Sequence, residues 1–191
     1  MKRIITTAVL VMLTVTAFAQ AKHLSFKGVP IDGPRKTFIA SMQQKGFEFV
    51  GTQEDMSILS GDFAGYKNCF VGVTTLKNKD LVSTIAVIFP EKDTWSALES
   101  NYENLKDMLS TKYGKPANEI SEWVNCNPQD DKDRMYQVGM DRCKYGASFE
   151  NELGTIEVMI SHDGFLKSFV ILRYVDKING DAVRAAAIDD L

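Results

Sequence analysis

The segment DTWSALESNYENLKDMLSTKYGKP, residues 93–116, carries a complete set of helix signals. Asp93 and Thr94 are candidates for the N-cap, whose side-chain oxygen accepts a bond from a free backbone N–H of the first turn. Apolar residues recur every three or four positions and predict one buried stripe made of Trp95, Leu98, Tyr102, Leu105 and Leu109. Gly114 is a typical end residue, and Pro116 prevents continuation. This segment therefore predicts a long amphipathic helix with defined ends.

A shorter helix is predicted upstream of it. Pro34 suits the start of a helix, where the missing N–H costs nothing. Phe38, Ile39 and Met42 supply an apolar face, and Gly46 fits the position just after the last turn. The chain thus has two predicted helices, one in each half.

Short segments rich in β-branched and aromatic residues follow each helix, and turn-forming residues separate them. The predicted strands are residues 47–52, 57–63, 69–76 and 81–89 in the first half, and 121–126, 135–138, 143–150, 155–161 and 168–175 in the second. Residues 143–150 alternate in polarity, which indicates a sheet with one packed face and one face in water. The predicted fold class is α+β, with a helix packed on an antiparallel sheet of about four strands, twice over.

A local match supports duplication. Gly65-x-x-x-Cys69-x-x-Gly72 recurs as Gly139-x-x-x-Cys143-x-x-Gly146, a shift of 74 residues. The match predicts two tandem units, residues 20–92 and 93–180, followed by a tail or short helix over residues 181–191. The alternative is a single irregular domain.

The N-terminus resembles a cleavable signal peptide over residues 1–19. Lys2 and Arg3 precede an uncharged run of about 15 residues, shorter than the about 20 needed to span a bilayer. Ala19–Gln20 is the expected cleavage site, with Ala21–Lys22 as the second choice and an uncleaved anchor helix as the alternative. We therefore expect an exported protein, periplasmic or extracellular.

The mature chain is mildly acidic. Removing Lys2 and Arg3 from 22 basic and 25 acidic residues leaves a net charge of about −5. This balance does not fit nucleic acid or an anionic membrane as partner. No cysteine precedes Cys69, so a lipid-modified N-terminal cysteine is not expected. We expect no membrane insertion after signal cleavage.

The three cysteines allow one disulfide, with Cys69–Cys126, Cys69–Cys143 and Cys126–Cys143 as the alternatives. The repeat makes Cys69 and Cys143 equivalent, so that the second half alone holds both members of a pair. This reasoning favours Cys126–Cys143. Cys69 lies in an apolar strand and is expected to be a buried free thiol.

Catalytic motifs are missing. The mature chain contains no Gly-x-Ser-x-Gly, Ser-x-x-Lys, phosphate-binding glycine loop or His-Glu-x-x-His. A thiol–imidazole pair of Cys69 and His162 is the sharpest enzymatic alternative. The acidic segment Asp130, Asp131 and Asp133 lacks EF-hand spacing and is expected to be a solvated turn. No catalytic, cofactor or metal site is predicted, and the alternative is a cell-envelope hydrolase without a recognisable motif.

Four aromatic residues are speculative interface residues on an exposed sheet face: Phe63, Tyr66, Tyr136 and Tyr145. Packing in the core is the competing explanation for each of them. The sequence does not show which face each occupies.

Three segments carry a resemblance: FKGVPIDG at residues 26–33, KYGKP at 112–116 and AIDDL at 187–191. In these the chain resembles a family of Bacteroidetes exported proteins of unknown function. At the level of fold, the predicted tandem is similar to β-lactamase-inhibitor-protein-like and PepSY-like domains. This resemblance implies a non-catalytic binding module for a protein, peptide or glycan partner, without a cofactor.

Overall fold

A computed structural model of the protein describes residues 23–76, 79–164 and 167–189. The predicted signal peptide lies outside these ranges. The helices in the described part are α1 (Arg35–Gln44), α2 (Trp95–Tyr113), α3 (Asp131–Gly139) and α4 (Ile178–Asp189). The strands are β1 (Ser25–Phe26), β2 (Val29–Pro30), β3 (Glu48–Gln53), β4 (Met56–Phe63), β5 (Tyr66–Thr75), β6 (Val82–Ile88), β7 (Asn118–Trp123), β8 (Cys143–Asn151), β9 (Gly154–Asp163) and β10 (Lys167–Asp176).

Eight strands form one sheet in the order β3-β4-β5-β6-β10-β9-β8-β7, and every neighbouring pair is antiparallel. The last strands of the two halves, β6 and β10, pair at the centre, with Ile88 opposite Ile171. The α+β class and the antiparallel sheet are therefore confirmed. Two tandem units with one helix each are not confirmed, because the halves share one sheet and the described residues include α3 and α4 as well.

The long helix lies where its sequence signals place it. The Thr94 hydroxyl accepts a hydrogen bond from the Ala97 N–H at 3.3 Å, and Gly114 ends the helix with φ of 89°. All members of the predicted stripe are buried: Trp95, Leu98, Tyr102, Leu105 and Leu109. The helix packs on β8, β9 and β10. Because the stripe is continuous, the helix covers one face of the second half of the sheet.

The predicted strand at residues 135–138 is wrong, because these residues belong to α3. The Asp130 carboxylate accepts a hydrogen bond from the Asp133 N–H at 2.8 Å and caps the helix. Asp131 and Asp133 lie in the first turn, where carboxylates interact favourably with the helix dipole. The expected solvated acidic turn is thus the start of a helix. Val138 is the buried residue of α3. Because one buried residue in about two turns gives no repeating apolar pattern, sequence analysis does not recognise this helix.

The additional helix also changes the repeat alignment. A shift of 74 residues lays Cys69 on Cys143, but Cys69 lies in β5, the third strand of its half, and Cys143 begins β8, the second strand of its half. The two positions are therefore not equivalent in the sheet. α3 lies between β7 and β8, and it lengthens the second half relative to the first.

The predicted disulfide Cys126–Cys143 is not formed, since Cys69, Cys126 and Cys143 are all free thiols. Burial, together with nearby charges that include Cys126, raises the pKa of Cys143 to about 12. Burial likewise raises the pKa of Cys69. The thiolate is the form that reacts, so both buried sulfurs are held in their inert form. Cys69 is a buried free thiol, as expected.

A charged cluster ties the N-terminal segment to the end of the sheet. His23 Nδ1 lies 3.0 Å from Asp176 Oδ1, and its Nε2 lies 3.6 Å from Asp32 Oδ2. The inaccessible Asp176 carboxylate also accepts the backbone N–H groups of Leu24, at 2.7 Å, and Ile178, at 3.0 Å. Burial by itself raises the pKa of Asp32, but hydrogen bonds to its carboxylate and the His23 charge outweigh this and lower it. The contribution of Asp32 to stability is therefore present above its ordinary pKa and is lost as the pH falls.

We predict that Asp176→Asn lowers the free energy of unfolding by about 3 kcal/mol, because it replaces an inaccessible carboxylate that accepts hydrogen bonds from two backbone N–H groups. Urea denaturation followed by circular dichroism measures the change. Asp107→Asn, on the exposed side of α2, is the control and should change stability by less than about 0.5 kcal/mol. Equal stabilities of the two variants would contradict this role of the cluster.

We predict that a thiol reagent labels half-buried Cys126 in the folded protein, whereas Cys69 and Cys143 react after unfolding. A time course with an aromatic disulfide reagent, with and without denaturant, counts the thiols in each phase. Cys126→Ser should remove the fast phase alone. Rapid labelling of a second thiol in the native protein would show that one buried cysteine is accessible.

Candidate functional site

The two faces of the sheet differ because successive side chains of a strand point to opposite sides. The face under the helices carries a row of buried residues in lateral register: Leu59, Val71, Val87, Leu172, Val158 and Ala147. The opposite face carries the residues that alternate with them, and apart from buried Gly72 and Phe169 they are half-buried or exposed. We call this second side the open face.

An apolar row crosses the open face. It runs through six adjacent strands and consists of Phe70, Ile88, Ile171, Met159, Gly146 and Ile120. Phe70 is 50% exposed and Ile120 is 46% exposed, whereas the residues between them are half-buried. Five strand spacings make the row about 24 Å long. A continuous apolar line of this length on the side opposite the core points to an interaction site.

Gly146 makes a depression near one end of the row. A Cβ placed on Gly146 would lie 3.6 Å from the Met159 Cβ and 3.8 Å from the Ile120 Cγ2, which are ordinary contacts. Glycine is therefore not required there by crowding or by its backbone angle. The missing side chain of Gly146 leaves a hollow of about 230 Å³ between Ile120 and Met159. Ser148 and Glu157 lie on the border of this hollow. The hollow has the size of one or two apolar side chains.

A second hollow lies at the other end of the row. It measures about 380 Å³ and is lined in part by Phe70, Ile88 and Phe169. The Lys167 ammonium and the Glu91 carboxylate, 3.6 Å apart, stand at its border. The row thus ends in two apolar depressions with polar borders, which is the arrangement of anchor pockets in protein interfaces.

An ion pair lies beside the row. Arg173 Nη2 is 3.1 Å from Glu157 Oε2, and these residues are directly opposite each other on β10 and β9. Both side chains remain partly exposed, so the pair adds little to stability. Its charges give the row one polar side and restrict how a partner can be oriented on it.

The speculative interface residues do not form one surface. Phe63 stacks on Phe26 at 4.8 Å, and Tyr145 meets Trp95 edge to face at 5.1 Å, both on the core side. Tyr66 contacts Phe89 at 5.0 Å, and its hydroxyl accepts a hydrogen bond from Asn104 at 2.9 Å. Tyr136 is exposed, but it belongs to α3. None of these four residues lies on the open face.

The structure does not bring Cys69 and His162 together. Cys69 is inaccessible on β5, and His162 lies on β9, three strand spacings or about 14 Å across the sheet. His162 Nδ1 is 3.0 Å from the Gly164 carbonyl, and Nε2 is 3.9 Å from Asp141. The thiol version of the hydrolase hypothesis therefore has no geometric basis.

Metal binding also lacks a site in the described ranges, where no three His, Cys, Asp or Glu side chains cluster in a suitable way. Asp130 and Asp133 are engaged in capping α3.

Sequence analysis did not identify the apolar row. Its members are spread over six strands, and only Gly146 belongs to a motif, as the last residue of the second repeat copy. The buried neighbours of Phe70 in β5 mark it as facing away from the core, but pairing register decides that the six residues stand side by side. A signal was present in β5, where outward Phe70 lies between inward Cys69 and Val71.

Comparison with known proteins adds no relative. Within the described residues, no helix has both the length and the apolar character needed to cross a membrane. The chain matches no protein-family model, and neither a curated protein nor a solved structure is significantly similar to it.

Proposed function

We propose that this chain is an exported, non-catalytic binding module whose open face docks a folded protein partner. The apolar row carries this proposal: six residues in lateral register, on the side of the sheet opposite the buried row. The predicted export signal and the missing catalytic motifs are consistent with it.

The dimensions of the open face support a protein partner. Eight strands span about 34 Å, and strands of about seven residues add about 24 Å in the other direction, which gives about 800 Å². A standard protein–protein interface buries about 800 Å² on each partner. A small molecule would use one hollow and leave the rest of the row in water.

The composition of the row favours protein over glycan. Phe70 is its aromatic member, and the others are aliphatic or glycine. Sugar rings stack on exposed aromatic faces, whereas aliphatic rows with terminal depressions accept apolar side chains of another protein. We therefore expect the partner to insert one apolar side chain at Gly146 and another between Phe70 and Ile88.

The two halves of the sheet support a finer proposal about origin. The sheet consists of two antiparallel series of four strands, β3–β6 and β7–β10. The two series meet where β6 pairs with β10. We infer that they are copies of one unit and that α3 is an insertion in the second copy. The open face would then be a composite surface, with part of the row contributed by each copy.

We predict that Gly146→Arg abolishes partner binding, because a long charged side chain fills the hollow and crosses the row. The immobilised mature protein is exposed to envelope and secreted extracts of its source, and retained proteins are quantified by mass spectrometry. A partner held by the wild type should fall at least about tenfold in the variant.

Two matched controls accompany this measurement. Met108→Arg makes a similar change at an exposed apolar residue of α2, and it should retain the partner. Ile120→Ser should weaken binding, whereas Val50→Ser, at a similarly exposed residue of edge strand β3, should not. Circular dichroism checks that each variant is folded. Undiminished binding by folded Gly146→Arg would exclude the open face as the docking site.

A further inference from the structure

The apolar row is self-complementary about a line that runs between β10 and β9, parallel to these strands. Ile171 and Met159 lie directly opposite each other on the two sides of this line, and two further members of the row follow on each side. A second molecule of this chain, turned by 180° about the line and placed face to face with the first, presents the same row in reverse order. Each member of the row then meets another member of the row.

The shape of the row agrees with this two-fold arrangement. Ile88 is the second member from one end and Gly146 is the second from the other, so the rotation places Ile88 of one molecule over the Gly146 hollow of the other. It likewise places Ile120 of one molecule against Phe70 of the other, beside the hollow that Phe70 helps to line. Each molecule therefore supplies apolar side chains at the two depressions of the other.

The ion pair beside the row has the same symmetry. Arg173 and Glu157 are opposite each other on β10 and β9, one on each side of the line. The rotation therefore brings Arg173 of one molecule to Glu157 of the other, twice in the assembly, and the four charges alternate in sign. An axis moved onto β10 or β9 would instead place two arginines or two glutamates against each other. Charge complementarity thus selects the axis that matches the apolar row to itself.

The area of the open face also fits a second molecule. Two such faces in contact bury about 800 Å² each, or about 1,600 Å² in total, which is the standard size of a stable specific interface. Two sheets pack face to face with their strands within about 30° of each other, and a two-fold axis along the strands gives this aligned packing. We propose that the folded protein docked on the open face is a second molecule of this chain, in a symmetric dimer. This inference rests on the proposed docking function of that face.

Charge reversal tests the contact between Arg173 and Glu157 of different molecules. We expect the mature chain to dimerise in sedimentation velocity with a Kd of about 1 µM. Arg173→Glu and Glu157→Arg should each weaken self-association at least about 100-fold, because each variant has two like-charge contacts in its own dimer. An equimolar mixture of the two variants should form a heterodimer, since both of its intermolecular pairs are attractive. The double variant Arg173→Glu/Glu157→Arg should self-associate again for the same reason.

Asp107→Lys is the matched control, since it reverses a charge at an exposed residue of α2, and it should leave the Kd within about twofold of the wild-type value. Circular dichroism checks the fold of every variant. Because the Arg173–Glu157 pair is partly exposed, its reversal should not unfold the chain.

Three results would overturn the second molecule as the partner. They are a wild-type chain that stays monomeric up to about 200 µM, a dimer that neither charge reversal weakens, and two dissociated variants whose mixture does not associate. The proposed function fails separately. If a monomeric chain retains a different protein, and folded Gly146→Arg loses it, the open face still docks a partner and the dimer alone is refuted. If folded Gly146→Arg changes neither self-association nor capture, both proposals are refuted.

Discussion

The pairing of β6 with β10 is the constraint on which the rest of the structure depends. These two strands are the last of their halves, and their antiparallel ladder, with Ile88 opposite Ile171, joins two four-strand series into one sheet. Neither half then has an exposed edge at the centre, where unpaired backbone groups would be costly to bury. Because β5 pairs with β6 and β9 pairs with β10, the ladder also determines which residues of β5 and β9 lie in the same lateral row.

Both faces of the sheet follow from that register. Val87 and Leu172 are opposite each other and lie under the helices, and their chain neighbours Ile88 and Ile171 are opposite each other on the open face. A slip of one residue would move every core side chain into water. The burial of the core therefore holds the apolar row in place, and the row requires no interactions of its own to remain aligned.

Several features of the structure do not serve its stability. Ile120 and Phe70 expose about half of their apolar surface, and Asn101 buries an amide without a partner among the described residues, a loss of about 1–3 kcal/mol. Such exceptions to packing and hydrogen-bonding rules occur where a protein meets something else. They lie on opposite faces of the sheet, and the proposed protein partner uses the open face.

Local signals in the chain determined the elements. Thr94, Gly114 and the apolar stripe of α2 act within a few residues of one another, and β8 follows from the alternation of residues 143–150. α3 was missed because its cap at Asp130 precedes a helix with one buried residue, so the apolar period on which recognition depends is absent. Without α3, the 74-residue shift aligned β5 with β8, which are not equivalent in the sheet. This wrong alignment led to the disulfide prediction.

Tertiary structure alone decided the functional surfaces. Phe70 and Ile120 are 50 residues apart, and they lie in one row because four intervening strands bring them into register. Periodicity along a chain reports which side of its own strand or helix a residue occupies. It carries no information on which distant residue is its neighbour, because that depends on strand order and register, and these are set by the burial of the whole core.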